Sequence, residues 1–315
     1  MALPDILQNL ELPVIGSPMF IISGPELVIA QCKAGIVGAF PALNARPADQ
    51  LEKWIERIKA ELKAYQEKHP EKKVAPFAVN QICHASNDRL MHDMEVCVRQ
   101  QVPIIITSLR PPKAVIDAVH SYGGIVLHDV INIRHTKKAL SEGADGIIAV
   151  CAGAGGHAGQ LSPFALLPEI REFHDGPLLC SGSIATGGSI LGAQAIGADL
   201  AYIGTRFIAA KEANAPDAYK KMVVDSAGDD IVYSSLFTGI HGNYLKQSIS
   251  NAGLNPEALE SADKTSMNFG SSSAKAWKDI WGAGQGVGSV HSIPSVAEIV
   301  AQLKTEYEQA KKRIC

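Results

Sequence analysis

Eight short apolar runs, each but the last followed directly by a segment of helical periodicity, constrain this chain more than any other feature. The runs fall at 14–16, 36–40, 76–80, 103–107, 125–128, 146–150, 178–180 and 200–203, with helical segments at 25–33, 47–69, 87–100, 112–122, 132–142, 163–173 and 187–196. In the second helix Leu51, Trp54, Ile55, Ile58 and Leu62 recur at helical spacing, while Lys53, Glu56, Arg57, Lys59 and Glu61 make a solvated face. Alternating strands and helices are the signature of βα units, and eight such units close most economically into a (β/α)8 barrel. Chemistry in such barrels gathers at the C-terminal ends of the strands. Met19, Asn80, His128, His157, Ser181 and Gly204 all fall at or just after one.

The rhythm fails between 211 and 276, a polar stretch rich in small residues, including Gly228, Gly239, Gly242, Gly253 and a run at 271–273. It reads as a mostly helical lid inserted after the eighth strand, which assigns 1–210 and 277–315 to the barrel. Ser295 with Glu298 forms a capping box for a last amphipathic helix that ends near Arg313.

The richest local signal is GIIAVCAGAGGHAG at 146–159. The apolar run there is continuous, as in a strand buried on both faces, and the glycines after it free the backbone to approach a ligand closely. His157 sits inside that loop. A dinucleotide fingerprint is a poor fit, because Gly153, Gly155 and Gly159 give GxGxxxG with no clear acidic residue at the later position. Tight connection and structural histidine are the plain alternatives at this point.

The net charge of −3 offers no basic stripe for nucleic acid or an anionic membrane. No apolar run approaches the roughly 18 residues needed to span a bilayer, and the N-terminal stretch lacks a signal-peptide pattern, so a cytoplasmic protein is expected. Six scattered cysteines without a CxxC pair fit free thiols in a reducing compartment. Cys83 and His84 are adjacent, so their side chains point to opposite sides of an extended chain; no metal site is expected. His241, in the lid segment, is a candidate for substrate contact.

Two later stretches, CSGSI at 180–184 and AYIGTRF at 201–207, place small residues after the seventh and eighth strands. Loops at those positions form the usual phosphate cradle of the barrel, since backbone N–H groups and the helix dipole both favour an anion. Taken with Pro18–Met19, Asn80, the AGGHAG loop and WGAGQG at 281–286, the sequence resembles the nitronate monooxygenase, or 2-nitropropane dioxygenase-like, FMN flavoproteins. That group is similar to flavin-type enoyl-acyl carrier protein reductases and to some NADH:quinone reductases.

The resemblance implies FMN as cofactor, with Met19, Phe20 and Asn80 facing the ring, His128 beneath it and Gly155 and Gly156 packed on it. Ser181, Gly182, Ser183, Gly204 and Thr205 would hold the phosphate, and Gln285 would border the cofactor. His157 matches the active-site histidine, as hydrogen-bond donor to a nitro group or general base towards a neutral nitroalkane. Two positions depart from the pattern. Ser183 stands where a second glycine is usual, and Asp129 follows His128 where some quinone-reductase-like relatives carry lysine. If it points inward, that carboxylate would oppose negative charge on the flavin.

The implied activity is oxidation of alkyl nitronates by dioxygen through a flavin semiquinone, on a small-molecule substrate. Hydride transfer from NAD(P)H to a quinone or an enoyl thioester is the alternative, and a flavin-free barrel holding a phosphorylated metabolite is a third. A homodimer is compatible with any of them.

Overall fold

The computed structural model describes residues 3–260 and 279–314; the serine run at 271–273 and Cys315 lie outside them. Eight parallel strands form one sheet in the order β1-β9-β8-β6-β5-β4-β3-β2. They are β1 (Val14–Gly16), β2 (Gly38–Pro41), β3 (Phe77–Ile82), β4 (Ile104–Ser108), β5 (Ile125–Val130), β6 (Gly146–Val150), β8 (Leu178–Ser181) and β9 (Leu200–Ile203). The ring closes between β1 and the start of β2, where Ile15 bridges Val37 in parallel and Gly16 N–H donates to the Val37 carbonyl at 2.7 Å. The expected (β/α)8 barrel is what the chain forms, with strand ends shifted by one or two residues.

Helices pack on the outside of the strands. Residues such as Ile15, Ala78, Ile104, Ile106, Leu127, Ile148 and Leu179 point inward and fill the barrel. Their strand neighbours, such as Val79, Ile105 and Val126, point outward against helices α3 (Gln50–Lys68), α4 (Leu90–Arg99) and α5 (Lys113–His120). Helix α6 (Ile133–Glu142) starts on Asn132, whose side chain accepts from His135 N–H, and stops at Gly143 with φ +103°, a left-handed conformation that favours glycine. The last helix, α12 (Val296–Ile314), carries the expected capping box: Ser295 N–H donates to Glu298 Oε2 at 2.7 Å and Glu298 N–H to Ser295 Oγ at 3.3 Å. It packs against α8 (Gly187–Ala195) and seals the barrel wall beside β1 and β9. Among the described residues no helix is long and apolar enough to cross a membrane.

The segment after β9 does not cover the barrel with helices alone. Helices at Asp217–Asp225 and Lys246–Asn251 flank a hairpin of β10 (Ile231–Ser234) and β11 (Gly242–Leu245). Strand β11 pairs antiparallel with β7, the two residues Gly156–His157, with Gly242 opposite His157. A polar, glycine-broken stretch of sequence carries little trace of such a hairpin, and two residues of β11, Gly242 and Asn243, pair with a loop some eighty residues earlier.

Candidate active site

At the C-terminal end of the strands lies a cavity of about 480 Å³, within the range of small-molecule and cofactor sites. Its wall is made by loops that bind one another. Gly153 carbonyl accepts from Gln285 N–H at 2.9 Å and from Ser183 N–H at 3.3 Å, and Gly284 N–H donates to Thr205 Oγ1 at 2.8 Å. The loops after β6, β8 and β9 and the 281–286 stretch are thereby one unit. The glycine positions are sterically required: a Cβ on Gly284 would lie 2.5 Å from the Gly153 carbonyl oxygen.

Of the residues expected at the site, Met19, Phe20, Asn80, Gly155, Gly156, His157, Ser181, Gly182, Ser183, Gly204 and Thr205 line this cavity. Ser183 has φ +56°, a left-handed conformation costing an L-residue roughly 1–2 kcal/mol, which explains why glycine suits the position.

One expectation is corrected. His128 does not lie under the cavity: its Nδ1 is 2.8 Å from Thr107 Oγ1 on the outer face of the sheet, and burial pushes its pKa down to about 4. Strand parity is the reason, since Leu127 points inward and its neighbour must point out. Gln285 is exposed and outside the lining itself, which Gly284 and Gly286 supply, but its side chain lies against Gly153 of the cavity wall. His241 stacks on Tyr233 at 5.0 Å and is not part of the lining.

The same parity turns Asp129 inward. Its carboxylate accepts from Ser108 Oγ at 2.5 Å, and Ser108 in turn accepts from Asn80 Nδ2 at 2.8 Å. Burial raises its pKa to about 6, against the lowering effect of the Ser108 hydroxyl and the Leu109 backbone. The folded chain therefore binds this proton more tightly than the unfolded chain, so stability falls as pH rises from about 4 to about 6. Asp129→Asn is expected to remove that decline, leaving the variant up to about 2 kcal/mol more stable than wild type at pH 7. Urea unfolding of both proteins at pH 5 and pH 7 checks it; parallel pH dependences would refute it.

His157 is held from two directions by the insertion. Its Nε2 lies 2.8 Å from Thr238 Oγ1, and its backbone pairs with Gly242. Around it Ala158 N–H donates to the His241 carbonyl at 3.1 Å, Asn243 Nδ2 to the Ala154 carbonyl at 2.7 Å, and Tyr233 Oη to the Ala158 carbonyl at 2.9 Å. Burial pushes the His157 pKa down to about 4, so the ring is neutral near pH 7. Arg46 lines the mouth with its guanidinium 5.4 Å from the Phe20 ring centroid. Ser108, Arg46 and Thr238 were not singled out from sequence, and no motif marks them; for Asp129 the sequence left only its orientation open.

A neutral histidine, a glycine-stripped wall and a polar cradle at the ends of β8 and β9 thus share one cavity. Among curated proteins the chain is 25% identical to a nitronate monooxygenase of Paraburkholderia phytofirmans, over 98% of this chain and 95% of that one. It is likewise 25% identical to the (3aS,4S,5R,7aS)-5-hydroxy-7a-methyl-1-oxo-octahydro-1H-indene-4-carboxyl-CoA dehydrogenase of Rhodococcus jostii, over 87% of this chain and 74% of that one. The structure of a nitroalkane oxidase from Streptomyces ansochromogenes superposes with a TM-score of 0.82 at 23% identity, covering 98% of this chain and 99% of the other, a likeness of fold. The nitronate monooxygenase family matches residues 3–306, and with nearly the whole chain inside that match this protein belongs to the nitronate monooxygenase family of oxidoreductases.

Proposed function

We propose that this chain is an FMN-dependent enzyme that oxidises alkyl nitronates with dioxygen, with the described part of the inserted segment, 211–260, capping the site. The observation that carries the reading is His157, half-buried in the wall of a cavity beside a run of glycines. Gly153, Gly155, Gly182, Gly204, Gly284 and Gly286 line it. Such a surface fits a flat ring, and a Cβ on Gly155 or Gly284 would collide with the facing backbone. Ser181, Gly182 and Ser183 with Gly204 and Thr205 would hold the phosphate, offering hydroxyls and backbone N–H groups. Bound there, FMN supplies the electron acceptance and the oxygen chemistry.

The residues then divide the remaining work. Arg46 is the one Lys or Arg among the described lining residues, and it draws an anionic nitronate towards the mouth. Neutral His157 donates a hydrogen bond to the nitro oxygens of a nitronate or accepts the α-proton of a neutral nitroalkane. Asp129, when ionised, disfavours a second anion on the cavity floor.

Anaerobic stopped-flow absorbance of the flavin-loaded protein tests the reading. Mixing with propionate-3-nitronate is expected to bleach the flavin rapidly, while NADH and NADPH leave it oxidised. Rapid bleaching by NAD(P)H alone would overturn the reading in favour of a reductase of quinones or enoyl thioesters. The coenzyme A substrate in the name of the R. jostii relative makes thioesters the first acceptors to try in that case.

A further inference from the structure

Next to the proposed phosphate cradle stands a buried charge that the fold does not pair. Arg206 follows Thr205 on the short helix α9 (Thr205–Ile208) and is 2% exposed. Among the described residues its guanidinium makes one hydrogen bond, from Nη2 to Gln302 Oε1 on α12 at 2.9 Å, and the buried Nη1 has no partner. Burial pulls its pKa down, and the charge of Glu306 offsets part of that. The Glu306 carboxylate is itself engaged elsewhere: Oε1 accepts from Gln302 Nε2 and Oε2 from Gly187 N–H, both at 2.8 Å. A guanidinium withdrawn from water without a bonded counter-charge is costly to keep.

The cradle has the opposite imbalance. Ser181, Gly182, Ser183, Gly204 and Thr205 are all uncharged, and Arg46, the one Lys or Arg among the described lining residues, is an exposed residue of a different loop. A phosphate monoester carries a charge of about −1.5 to −2 at neutral pH. Hydroxyls and backbone N–H groups can bond its oxygens without neutralising that charge. Arg206 is not part of the lining, so it does not touch an anion held there. Its charge acts through the protein interior, where screening is much weaker than in water.

We propose that Arg206 is the counter-charge of the bound phosphate and, without contacting it, makes the site select a phosphorylated flavin over an unphosphorylated one. This rests on the reading of the cavity as an FMN site. Gln302 completes the arrangement. Its amide oxygen holds the guanidinium in place and leaves the charge intact, whereas a carboxylate at the same position would cancel it. Gln302 is exposed on α12, so packing does not exclude a glutamate there. Two charges of opposite sign, one on the protein and one on the ligand, thus meet on either side of a single turn at the end of β9.

The test is a pair of fluorescence titrations of the full chain, freed of flavin, with FMN and separately with riboflavin at pH 7.5 and low salt. The quantity read is the ratio of the two dissociation constants. Wild type is expected to bind FMN far more tightly. Arg206→Met is expected to lower that preference about tenfold while leaving the riboflavin constant within about twofold, since only the phosphate feels the charge. Gln302→Glu, which keeps an acceptor for Nη2 and adds a negative charge beside it, is expected to lower the preference by about threefold or more. A guanidinium that only braces α9 against α12 would, on replacement, weaken both flavins in parallel; that result, or an unchanged ratio in either variant, overturns the inference. Should the methionine variant fail to fold, Gln302→Glu decides alone. A wild type with no preference for FMN would instead overturn the phosphate cradle itself, so the two failures are told apart, and neither is read from turnover.

Discussion

Replacing His157 with alanine is expected to leave FMN bound while lowering turnover of a neutral nitroalkane by roughly 10²- to 10⁴-fold, the usual worth of a positioned acid or base. The flavin is retained because its proposed phosphate cradle lies at the ends of β8 and β9. His157 stands across the cavity on β7, a separate strand tied to the insertion. The absorbance spectrum of the purified variant reads the first half of this outcome, and steady-state kinetics the second. Loss of neutral-nitroalkane turnover with preserved oxidation of the preformed nitronate would separate the base role from that of hydrogen-bond donor. Undiminished turnover of both substrates would end the case for His157. The pH profile adds a second reading. With the His157 pKa pushed down to about 4 by burial, the neutral form persists through mildly acidic solution. Activity limited by this group should therefore fall only as pH drops towards about 4, not near the ordinary histidine value.

Gly284→Ala is expected to have the next largest effect, through shape alone. The added methyl would lie 2.5 Å from the Gly153 carbonyl oxygen and 2.9 Å from the Gly155 nitrogen, both backbone atoms. Neither can swing aside like the end of a side chain, so the stretch around Gly284 must separate from the loop after β6. Overpacking of this kind costs roughly 1–3 kcal/mol, and here it opens the wall that would hold the flavin. Gly284 N–H would also be moved from Thr205 Oγ1, its present acceptor at 2.8 Å. A flavin titration should show binding weakened at least tenfold, and thermal unfolding a lower midpoint. Gly192→Ala on helix α8 is the matched control: nothing lies within 4 Å of its added methyl, and alanine in a helix is worth roughly 0.5–1 kcal/mol over glycine. If Gly284→Ala bound FMN as tightly as Gly192→Ala, the glycine wall would have no part in the site.

The correction at β5 shows where sequence reading stops. Ile125, Val126 and Leu127 are apolar at consecutive positions, because a parallel strand inside a barrel is covered on both faces. Without alternation no face is marked, and nothing in the string IVLHDV says whether His128 or Asp129 enters the cavity. Only the register of β5 between β4 and β6 decides it, and it decides for Asp129. Asn80, Ser108 and Asp129 form one hydrogen-bonded chain across three strands, a relation that exists only once those strands are laid side by side. Gln285 differs in kind: its side chain lies against Gly153 of the cavity wall, while the flanking Gly284 and Gly286 form the lining.

The sequence by itself determined the eight βα units, the loops that end them and the identity of the histidine. Those features are local: apolar run length, helical periodicity, and glycine where the backbone must bend or lie close. Tertiary structure alone decided which face of each strand meets the cavity, and that β11 of the insertion pairs with the His157 strand. It also decided that Thr238, eighty-one positions from His157, lies within hydrogen-bond distance of its ring. Contacts between distant segments depend on how the closed barrel brings strand ends and an inserted hairpin together, and no spacing within the chain encodes that meeting.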